Sequence, residues 1–332
     1  MKTLSARSKK SSPRSATSAR STRCKPNVIA IVGPTGSGKT ALAIALIRRF
    51  GGAVISADSR QLYRDMDIGT AKPTKAEQRR AKHYMIDIIS PNQRYSAGRF
   101  QKTVYALVKK LYHAHPDQPI FLVGGTYLYV DAVRKGWDFA QTKADPGLRR
   151  RLERATLKQL AAELRKKDPT TARSIDMRNR RRLIRALEVV RTTGKSFYDQ
   201  RTGSPPAWNM LSIGLDVPQK KLDLQNARRI DRMFCAGWTS EVKKLLRRYK
   251  PSTPGFYAHG YREVVEYLEG KRSLADTKKR IAINTRRHAK RQLTWFKKSP
   301  DTHWIKATDS RQAAKLVSKL QSGIVTQSGS TT

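Results

Sequence analysis

The sequence predicts an α/β protein built on a parallel sheet, and three short apolar segments carry this prediction. Asn27–Val32, Ala53–Ala57 and Pro119–Val123 are dominated by apolar residues, and each is closed by a turn-forming group. Short continuous apolar runs bounded by turn signals are consistent with buried strands. The segments between these strands have helical character, and alternation of strands and helices is the pattern of a parallel α/β sheet.

Two helices are predicted between these strands. Ala41–Phe50 is apolar almost all round, as expected of a helix that packs against a sheet, and Gly51-Gly52 ends it. The spacing also predicts a helix over Ser96–His113. Its apolar residues on one side are Phe100, Val104, Leu107, Val108 and Leu111.

Beyond Trp137 the sequence becomes helical and strongly basic, with predicted helices over Leu148–Lys167 and Arg178–Arg191 and a boundary near Gly203-Ser204-Pro205-Pro206. Leu211–Val217 returns to strand composition, and predicted helices follow over Leu222–Tyr249, Arg262–Leu268 and Leu274–Phe296. We therefore predict a flexible basic arm (1–26), an α/β core (27–136 and 206–306), a helical insertion (137–205), and a short helix with a disordered tail (307–332).

The charge balance restricts the class of partner. Of 332 residues, 69 are Lys or Arg and only 25 are Asp or Glu, which gives a formal net charge of +44. With 38% hydrophobic residues the chain can form a globular core, and no apolar run approaches the length of a membrane span. Such a surface favours a polyanionic partner, of which nucleic acid is the commonest. Two cysteines, Cys24 and Cys235, exclude a disulfide framework and a four-cysteine zinc site.

The N-terminal segment Met1–Pro26 is rich in Ser, Thr, Arg and Lys, and no acidic residue precedes Asp58. The segment lacks the apolar stretch of a secretory signal. Its composition is similar to that of an organellar transit peptide, but an amphipathic helix is poorly supported, and a flexible basic arm is the favoured interpretation. We expect a cytoplasmic protein, with import into an organelle left open.

A phosphate-binding loop is predicted directly after the first strand. The segment fits G-x-x-x-x-G-K-[ST] at every required position, and the predicted diphosphate-binding residues are Gly33, Thr35, Gly36, Ser37, Gly38, Lys39 and Thr40. Backbone N–H groups of such a loop point at phosphate oxygens, and the following helix N-terminus favours negative charge. Thr40 supplies a hydroxyl that can bind Mg²⁺, so we predict Mg²⁺ as cofactor.

The other strand ends differ from those of an ordinary nucleotide hydrolase. The third strand ends in Gly124-Gly125, where such enzymes have an acidic residue for Mg²⁺. Asp58, at the end of the second strand, is the carboxylate best placed to face the loop, since ligands bind at the carboxyl ends of parallel strands. These residues alone would suggest a small-molecule kinase.

A longer set of motifs resembles one family, the tRNA dimethylallyltransferases. The matching segments run in order over roughly residues 28–305. They are Asp58–Pro73, His83–Asp87, Tyr95–Ala97, Val123–Tyr129, Arg182–Val189, Arg229–Met233, Gly260–Glu263 and Lys290–Trp295. The resemblance implies a P-loop NTPase-like core with an inserted basic helical domain that binds tRNA.

The resemblance also implies the reaction: transfer of a dimethylallyl group from dimethylallyl diphosphate to the exocyclic amine of the adenosine 3′ of the anticodon, in tRNAs that read codons beginning with U. It implies that Asp58 is the catalytic base, that Thr40 contacts the bridging oxygen, and that Arg229 is a further cation for the diphosphate. The partner would be a tRNA anticodon stem-loop, bound by a monomer.

The residues that the resemblance assigns to tRNA binding lie in four segments. They are Asp58, Ser59, Arg60, Gln61, Thr126, Arg181, Arg182, Leu183, Ile184, Arg185, His259, Gly260, Tyr261 and Arg262. One segment departs from the family pattern, because Asn179-Arg180-Arg181-Arg182 stands where an Asn-Asp/Pro-Gln/Lys-Arg run is expected.

Three other functions are compatible with a phosphate loop on such a core. A small-molecule or nucleotide kinase would leave the Asp58–Pro73 segment unexplained, and an adenylate isopentenyltransferase that modifies free nucleotides has little need for a charge of +44. A phosphate-binding RNA adaptor without activity would not explain Asp58 beside an intact Lys39-Thr40 pair.

Overall fold

A six-stranded parallel sheet forms the centre of the protein, seen in a computed structural model that describes residues 25–139, 145–199 and 203–323. The strand order is β3-β2-β4-β1-β5-β6. The strands are β1 (Asn27–Val32), β2 (Ala53–Ser56), β3 (His83–Tyr84), β4 (Ile120–Val123), β5 (Asn209–Asp216) and β6 (Thr302–Lys306). All five neighbouring pairs are parallel, which confirms the predicted sheet type.

Helices cover both faces of this sheet and form the segment between β4 and β5. They are α1 (Lys39–Phe50), α2 (Lys75–Arg80), α3 (Ala97–Ala114), α4 (Tyr127–Lys135), α5 (Pro146–Arg154), α6 (Leu157–Lys167), α7 (Pro169–Ser174), α8 (Arg180–Thr193), α9 (Gln219–Cys235), α10 (Trp238–Leu246), α11 (Tyr261–Leu268), α12 (Leu274–Phe296) and α13 (Ser310–Gln321). A short 3-10 helix spans Pro254–Tyr257.

The apolar alternation of β1 divides the core between the two faces of the sheet. Val28 and Ala30 belong to a cluster with residues of α3, α4 and α10–α12, whereas Ile29 and Ile31 belong to a cluster with α1 and α13. All four side chains are at most 1% exposed. A strand buried on both faces needs apolar residues at every position, which is why the β1 sequence is a continuous run.

The register of the sheet brings three strand ends together. Ile31 of β1 and Ser56 of β2 both lie opposite Val123 of β4. Beyond the strands, Ala57 N–H donates to the Val123 carbonyl at 2.8 Å and Gly124 N–H donates to the Ile31 carbonyl at 3.2 Å. The segments that follow these strands therefore meet at one carboxyl edge of the sheet.

The helices between β4 and β5 have a small core of their own. Leucines of α5, α6 and α8 form it, including Leu160, Leu164, Leu183 and Leu187, each 0% exposed. A backbone bridge between Trp137 and Gly203 lies near the start and the end of this helical segment. The division into core and insertion at the predicted boundaries stays a prediction.

Several predicted elements differ from the structure for local reasons. The predicted helix over Leu148–Lys167 is two helices, since Thr156 forms a capping box with Gln159 and starts α6. The predicted helix after Leu222 is also interrupted, because Gly237 adopts φ 93°. The bounds of β1 and α12 agree with prediction, whereas the sequence analysis missed β3 and β6.

Two predicted segments fall largely outside the described residues: the basic arm over 1–26, of which only the last two residues are described, and the end of the tail, 324–332. No described helix has the length and apolarity needed to cross a membrane.

Candidate active site

The phosphate loop lies between β1 and α1 with the shape that the motif predicts. Gly36 and Gly38 have φ values of 87° and 89°, in the left-handed region that favours glycine, and Gly38 leads directly into α1. The ammonium of Lys39 donates to the carbonyls of Gly33 at 3.0 Å and Pro34 at 2.8 Å. The loop therefore holds its own lysine over the turn where phosphate oxygens would bind.

The charge environment of Lys39 identifies its neighbours. Loss of water around its ammonium lowers the pKa of Lys39 to about 8, the Asp58 carboxylate opposes this shift, and the Arg229 guanidinium adds to it. Burial likewise lowers the pKa of Arg229, again against the Asp58 carboxylate. The structure thus brings together Lys39, Asp58 and Arg229, which are the predicted loop cation, base and third diphosphate contact.

Asp58 follows β2 and is held by a tight local turn. Its Oδ1 accepts from the N–H of Arg60 at 2.8 Å. This is an Asx-type turn and not a helix cap, because no helix begins at Ser59. This turn holds the carboxylate at the end of β2.

The turn after β4 contacts the Asp58 segment directly. Thr126 Oγ1 accepts from the N–H of Ser59 at 2.9 Å and donates to Ser59 Oγ at 3.3 Å. Gln61 is held by two bonds, since its Oε1 accepts from Ser56 Oγ at 2.9 Å and its Nε2 donates to the Ala71 carbonyl at 3.1 Å. Only one N–H hydrogen and one oxygen lone pair of that amide remain for a base edge.

Two charged groups that the sequence analysis missed, buried Lys72 and half-buried Glu241, support the segment that follows Asp58. The ammonium of Lys72, 9% exposed, binds the carboxylates of Asp67 and Asp87 and donates to the Tyr63 carbonyl at 2.8 Å. Glu241 of α10 accepts from three consecutive backbone N–H groups, at residues 67–69, with distances of 2.8, 2.7 and 3.3 Å. No local sequence pattern distinguishes Glu241 from a solvent-exposed helical glutamate.

A basic rim, formed by Arg60, His259, His288 and Arg291, borders the crevice between the phosphate loop and Asp58. The rings of His259 and His288 lie 4.2 Å apart, between centroids. Burial, His259 and the guanidinium groups of Arg291 and Arg60 lower the pKa of His288 to about 3, so its ring is neutral at physiological pH. Arg60 and Arg291 therefore supply the positive charge of the rim.

Three residues predicted to bind RNA are enclosed in protein. Leu183 and Ile184 are 0% and 3% exposed in the core of the helical segment, and Tyr261 is 0% exposed with its hydroxyl donating to Glu241 at 2.7 Å. Because these side chains are buried, they can affect RNA binding only by positioning neighbouring residues. Gly260 is buried too, and a Cβ there would lie 2.1 Å from the Trp238 ring.

The arginines beside them are exposed. Arg181, Arg182 and Arg185 lie on the outer side of α8. Among the described residues, Arg181 and Arg182 form no ion pair, whereas Arg185 lies 3.5 Å from Glu188. The guanidinium of Arg262 lies 3.9 Å from the ring centre of exposed Tyr257, which forms a flat surface suited to stacking.

Within the described ranges, no group of three or more His, Cys, Asp or Glu side chains could hold a metal ion. An Mg²⁺ ion at a phosphate site generally takes few protein ligands and is bound largely through phosphate oxygens and waters. Thr40, at the start of α1, is the hydroxyl that the loop offers.

Comparison with known proteins gives one consistent result. A sequence model described as IPP transferase matches residues 61–299. A tRNA dimethylallyltransferase of Thermomicrobium roseum is 41% identical over 286 residues, which cover 85% of this chain and 86% of the relative. A relative of the same name from Pelotomaculum thermopropionicum is 37% identical and covers 91% of this chain and 98% of its own length.

Solved structures agree. The tRNA isopentenylpyrophosphate transferase of Bacillus halodurans superposes with a TM-score of 0.68 at 35% identity, covering 90% of this chain and 98% of the other. A eukaryotic dimethylallyltransferase, whose structures show it acting on tRNA, has a TM-score of 0.80 at 25% identity, covering 91% of this chain and 81% of the other. These likenesses show a P-loop NTPase-like fold.

Proposed function

This chain belongs to the IPP transferase family, and we propose that it transfers a dimethylallyl group from dimethylallyl diphosphate to the exocyclic amine of the adenosine 3′ of the anticodon, in tRNAs that read codons beginning with U. One observation carries the proposal. A phosphate loop and a carboxylate without a helix-capping role, Asp58, lie at the carboxyl edge of the sheet, and the charge of Asp58 acts on both Lys39 and Arg229.

The diphosphate subsite comprises the loop, Lys39 and Arg229. An allylic diphosphate reacts as its C1–O bond breaks, when negative charge collects on the departing diphosphate and positive charge spreads over the allyl group. Backbone N–H groups of residues 36 and 38–40 and the two cations stabilise that anion most strongly as the bond breaks, which lowers the barrier. Burial strengthens the effect because the local dielectric constant is low.

Mg²⁺ is the cofactor that we propose for this subsite. The Thr40 hydroxyl would hold it together with diphosphate oxygens, and when bound it supplies further charge neutralisation for the leaving group. In the free loop Lys39 bonds to the Gly33 and Pro34 carbonyls, and it would exchange these bonds for diphosphate oxygens.

Asp58 receives the proton. As the adenosine amine forms its bond to C1 and the C1–O bond breaks, one N–H proton passes to the Asp58 carboxylate and diphosphate leaves. A base that is held in place raises the rate of this step by about 10²- to 10⁴-fold. The Arg60 N–H that holds Asp58 at Oδ1 fixes the direction of the other oxygen.

The adenosine must leave its stack to reach this half-buried carboxylate. We assign the extruded base to the crevice between Ser59, Thr126 and the rim formed by Arg60 and Arg291. Exposed Arg181, Arg182, Arg185 and Arg262, with His259 at the rim, would bind the anticodon stem-loop. A groove of about 550 Å³ lined by Arg286, Lys290 and Lys297 offers further phosphate contacts.

We propose that the protein acts as a monomer, which light scattering would test. We propose a cytoplasmic location. Microscopy of tagged chains with and without residues 1–26 would test it against organellar import.

The direct test uses purified protein, dimethylallyl diphosphate, Mg²⁺ and tRNA that lacks the modification. Mass spectrometry of the digested nucleosides should show adenosine heavier by one dimethylallyl group, located by fragment mapping next to the anticodon. Absence of this product would refute the proposal. Product on free adenylate but not on tRNA would favour the adenylate enzyme, and ATP consumption with a small acceptor would favour the kinase.

A further inference from the structure

A single buried amide joins two loops of the proposed site. Gln292 lies on α12 and is 2% exposed. Its Oε1 accepts from the N–H of Thr35 at 2.9 Å, and its Nε2 donates to the carbonyl of Gly125 at 2.8 Å. Thr35 belongs to the phosphate loop after β1, and Gly125 belongs to the turn after β4.

The glycine at 125 is needed for this contact. A Cβ placed there would lie 2.2 Å from Gln292 Nε2, so any larger residue would displace the amide. The same turn continues into Thr126, which bonds to Ser59 beside Asp58. The amide therefore reaches the acceptor side of the crevice as well as the phosphate loop.

A second buried amide holds the same residue, Thr35, from α9. Asn226, 5% exposed, donates from Nδ2 to the Thr35 carbonyl at 3.3 Å. A Cβ at Gly36 would lie 2.5 Å from Asn226 Oδ1, so this glycine too allows an amide to approach. Thr35 is thus held from two helices, and only Gln292 extends the contact to the second loop.

We propose that Gln292 is a positioning residue whose amide sets the distance between the diphosphate subsite and the adenine subsite. This inference rests on the proposed function. We assign the amide no contact with either reactant, because Gln292 is 2% exposed and its oxygen and nitrogen are bonded to Thr35 and Gly125. Its effect is to bring C1 of the allyl group and the adenosine amine into line.

A bridge between subsites has a different kinetic signature from a binding residue. A displacement of about 1 Å between reacting groups costs about 10²-fold in rate. The contacts of each ligand with its own subsite remain, so the affinities for diphosphate and for tRNA should stay close to their original values.

The test compares two buried glutamines. Gln292→Met removes the bridge with little change of volume. The matched control is Gln101→Met, because Gln101 of α3 is 8% exposed and its Nε2 donates to the carbonyls of Ala132 at 2.7 Å and Trp137 at 2.9 Å. Both changes remove the hydrogen bonds of a buried amide, three at Gln292 and two at Gln101, but only the first lies at the crevice.

Three quantities are measured for each variant and for the original protein: the single-turnover transfer rate with both substrates saturating, the KM for tRNA, and the Kd of inorganic pyrophosphate with Mg²⁺. We expect Gln292→Met to lower the rate by about 30- to 100-fold, with both affinities within about threefold. Gln101→Met should keep the rate within about twofold of the original, because Gln101 contacts neither of the two subsites.

Two outcomes would overturn the inference while the original protein remains active. The first is an unchanged rate in Gln292→Met. The second is a loss of pyrophosphate affinity as large as the loss of rate, which would mean that Gln292 only shapes the phosphate loop. If the original protein forms no prenylated tRNA, the proposed function fails and the inference fails with it.

A second pair of variants keeps the test decisive if Gln292→Met folds poorly. Gln292→Glu retains an oxygen for Thr35 but replaces the donor to Gly125 with an acceptor, so the same loss of rate is expected. Gly125→Ala displaces the amide from the other side. The double variant, Gly125→Ala with Gln292→Glu, should transfer at most about twofold more slowly than the slower of the two single variants. If the fold-losses in rate of the single variants multiply in the double variant, the bridge is contradicted.

Discussion

The cations of this protein lie in two regions that hold charge in different ways. At the sheet edge, Lys39 and Arg229 are desolvated beside Asp58, and the pKa of Lys39 falls to about 8. On α8, Arg181 and Arg182 project from a small leucine core into solvent. Buried charges act strongly and only at fixed positions, whereas exposed charges act weakly, add together and are screened by salt.

This difference suggests a division of labour. The sheet edge should determine the rate of transfer, and the arginines of α8 should determine how tightly tRNA is held. Four substitutions, in order of expected effect, test where one region ends and the other begins.

Asp58→Asn should have the largest effect. Asparagine keeps the bond from the Arg60 N–H but cannot take the amine proton, so the single-turnover rate should fall by about 10³-fold. The KM for tRNA should change little. A rate within about threefold of the original would remove Asp58 from its proposed role.

Lys39→Met should weaken the binding of pyrophosphate by about 10- to 100-fold, the range for a lost hydrogen bond to a charged group. The pH dependence of pyrophosphate affinity is a second test of the role of Lys39. Diphosphate binds the protonated lysine, so the part of the affinity that Lys39 contributes should be constant below the Lys39 pKa of about 8 and fall as pH rises above it. Calorimetric titration over this range checks the slope, and the Met variant should lose it.

Glu241→Gln should have an intermediate effect on the rate. Glutamine cannot accept all the bonds from the N–H groups of residues 67–69 and the Tyr261 hydroxyl, so unfolding should become easier by about 1–3 kcal/mol. The loop that follows Asp58 should loosen, and the transfer rate should fall by about tenfold. Thermal unfolding and single-turnover kinetics measure the two effects. An unchanged rate with a lower Tm would confine Glu241 to stability.

Arg182→Ala should have the smallest effect. Affinity for tRNA should fall by about threefold at low salt, and the slope of log affinity against log salt should decrease by about one. Lys109→Ala, an exposed change on α3, is the control. Equal losses in both variants would mean that α8 contributes only to overall charge.

The sequence predicted the parts of this site that depend on local patterns. The phosphate loop follows from its glycines and Lys39, and β1 follows from a continuous apolar run. Because Asp58 comes directly after a predicted strand, its position at the sheet edge could also be predicted.

The contacts that hold the site together could not be predicted in this way. Thr35 and Gln292 lie 257 residues apart, and Glu241 meets Gly69 across 172 residues. The edge strand β6 has only two buried positions, Thr302 and Ile305, so it lacks the apolar run that identified β1. Pairings over such distances depend on the assembled fold.

The division between the two regions is tested most directly by single-turnover transfer rates at saturating tRNA. The comparison is between Asp58→Asn and a double variant, Arg181→Ala with Arg182→Ala. The double variant should recover the original rate within about twofold once tRNA is saturating, while Asp58→Asn stays about 10³-fold slower. A double variant that remains slow at saturation, or an Asp58→Asn protein that recovers, would contradict this account.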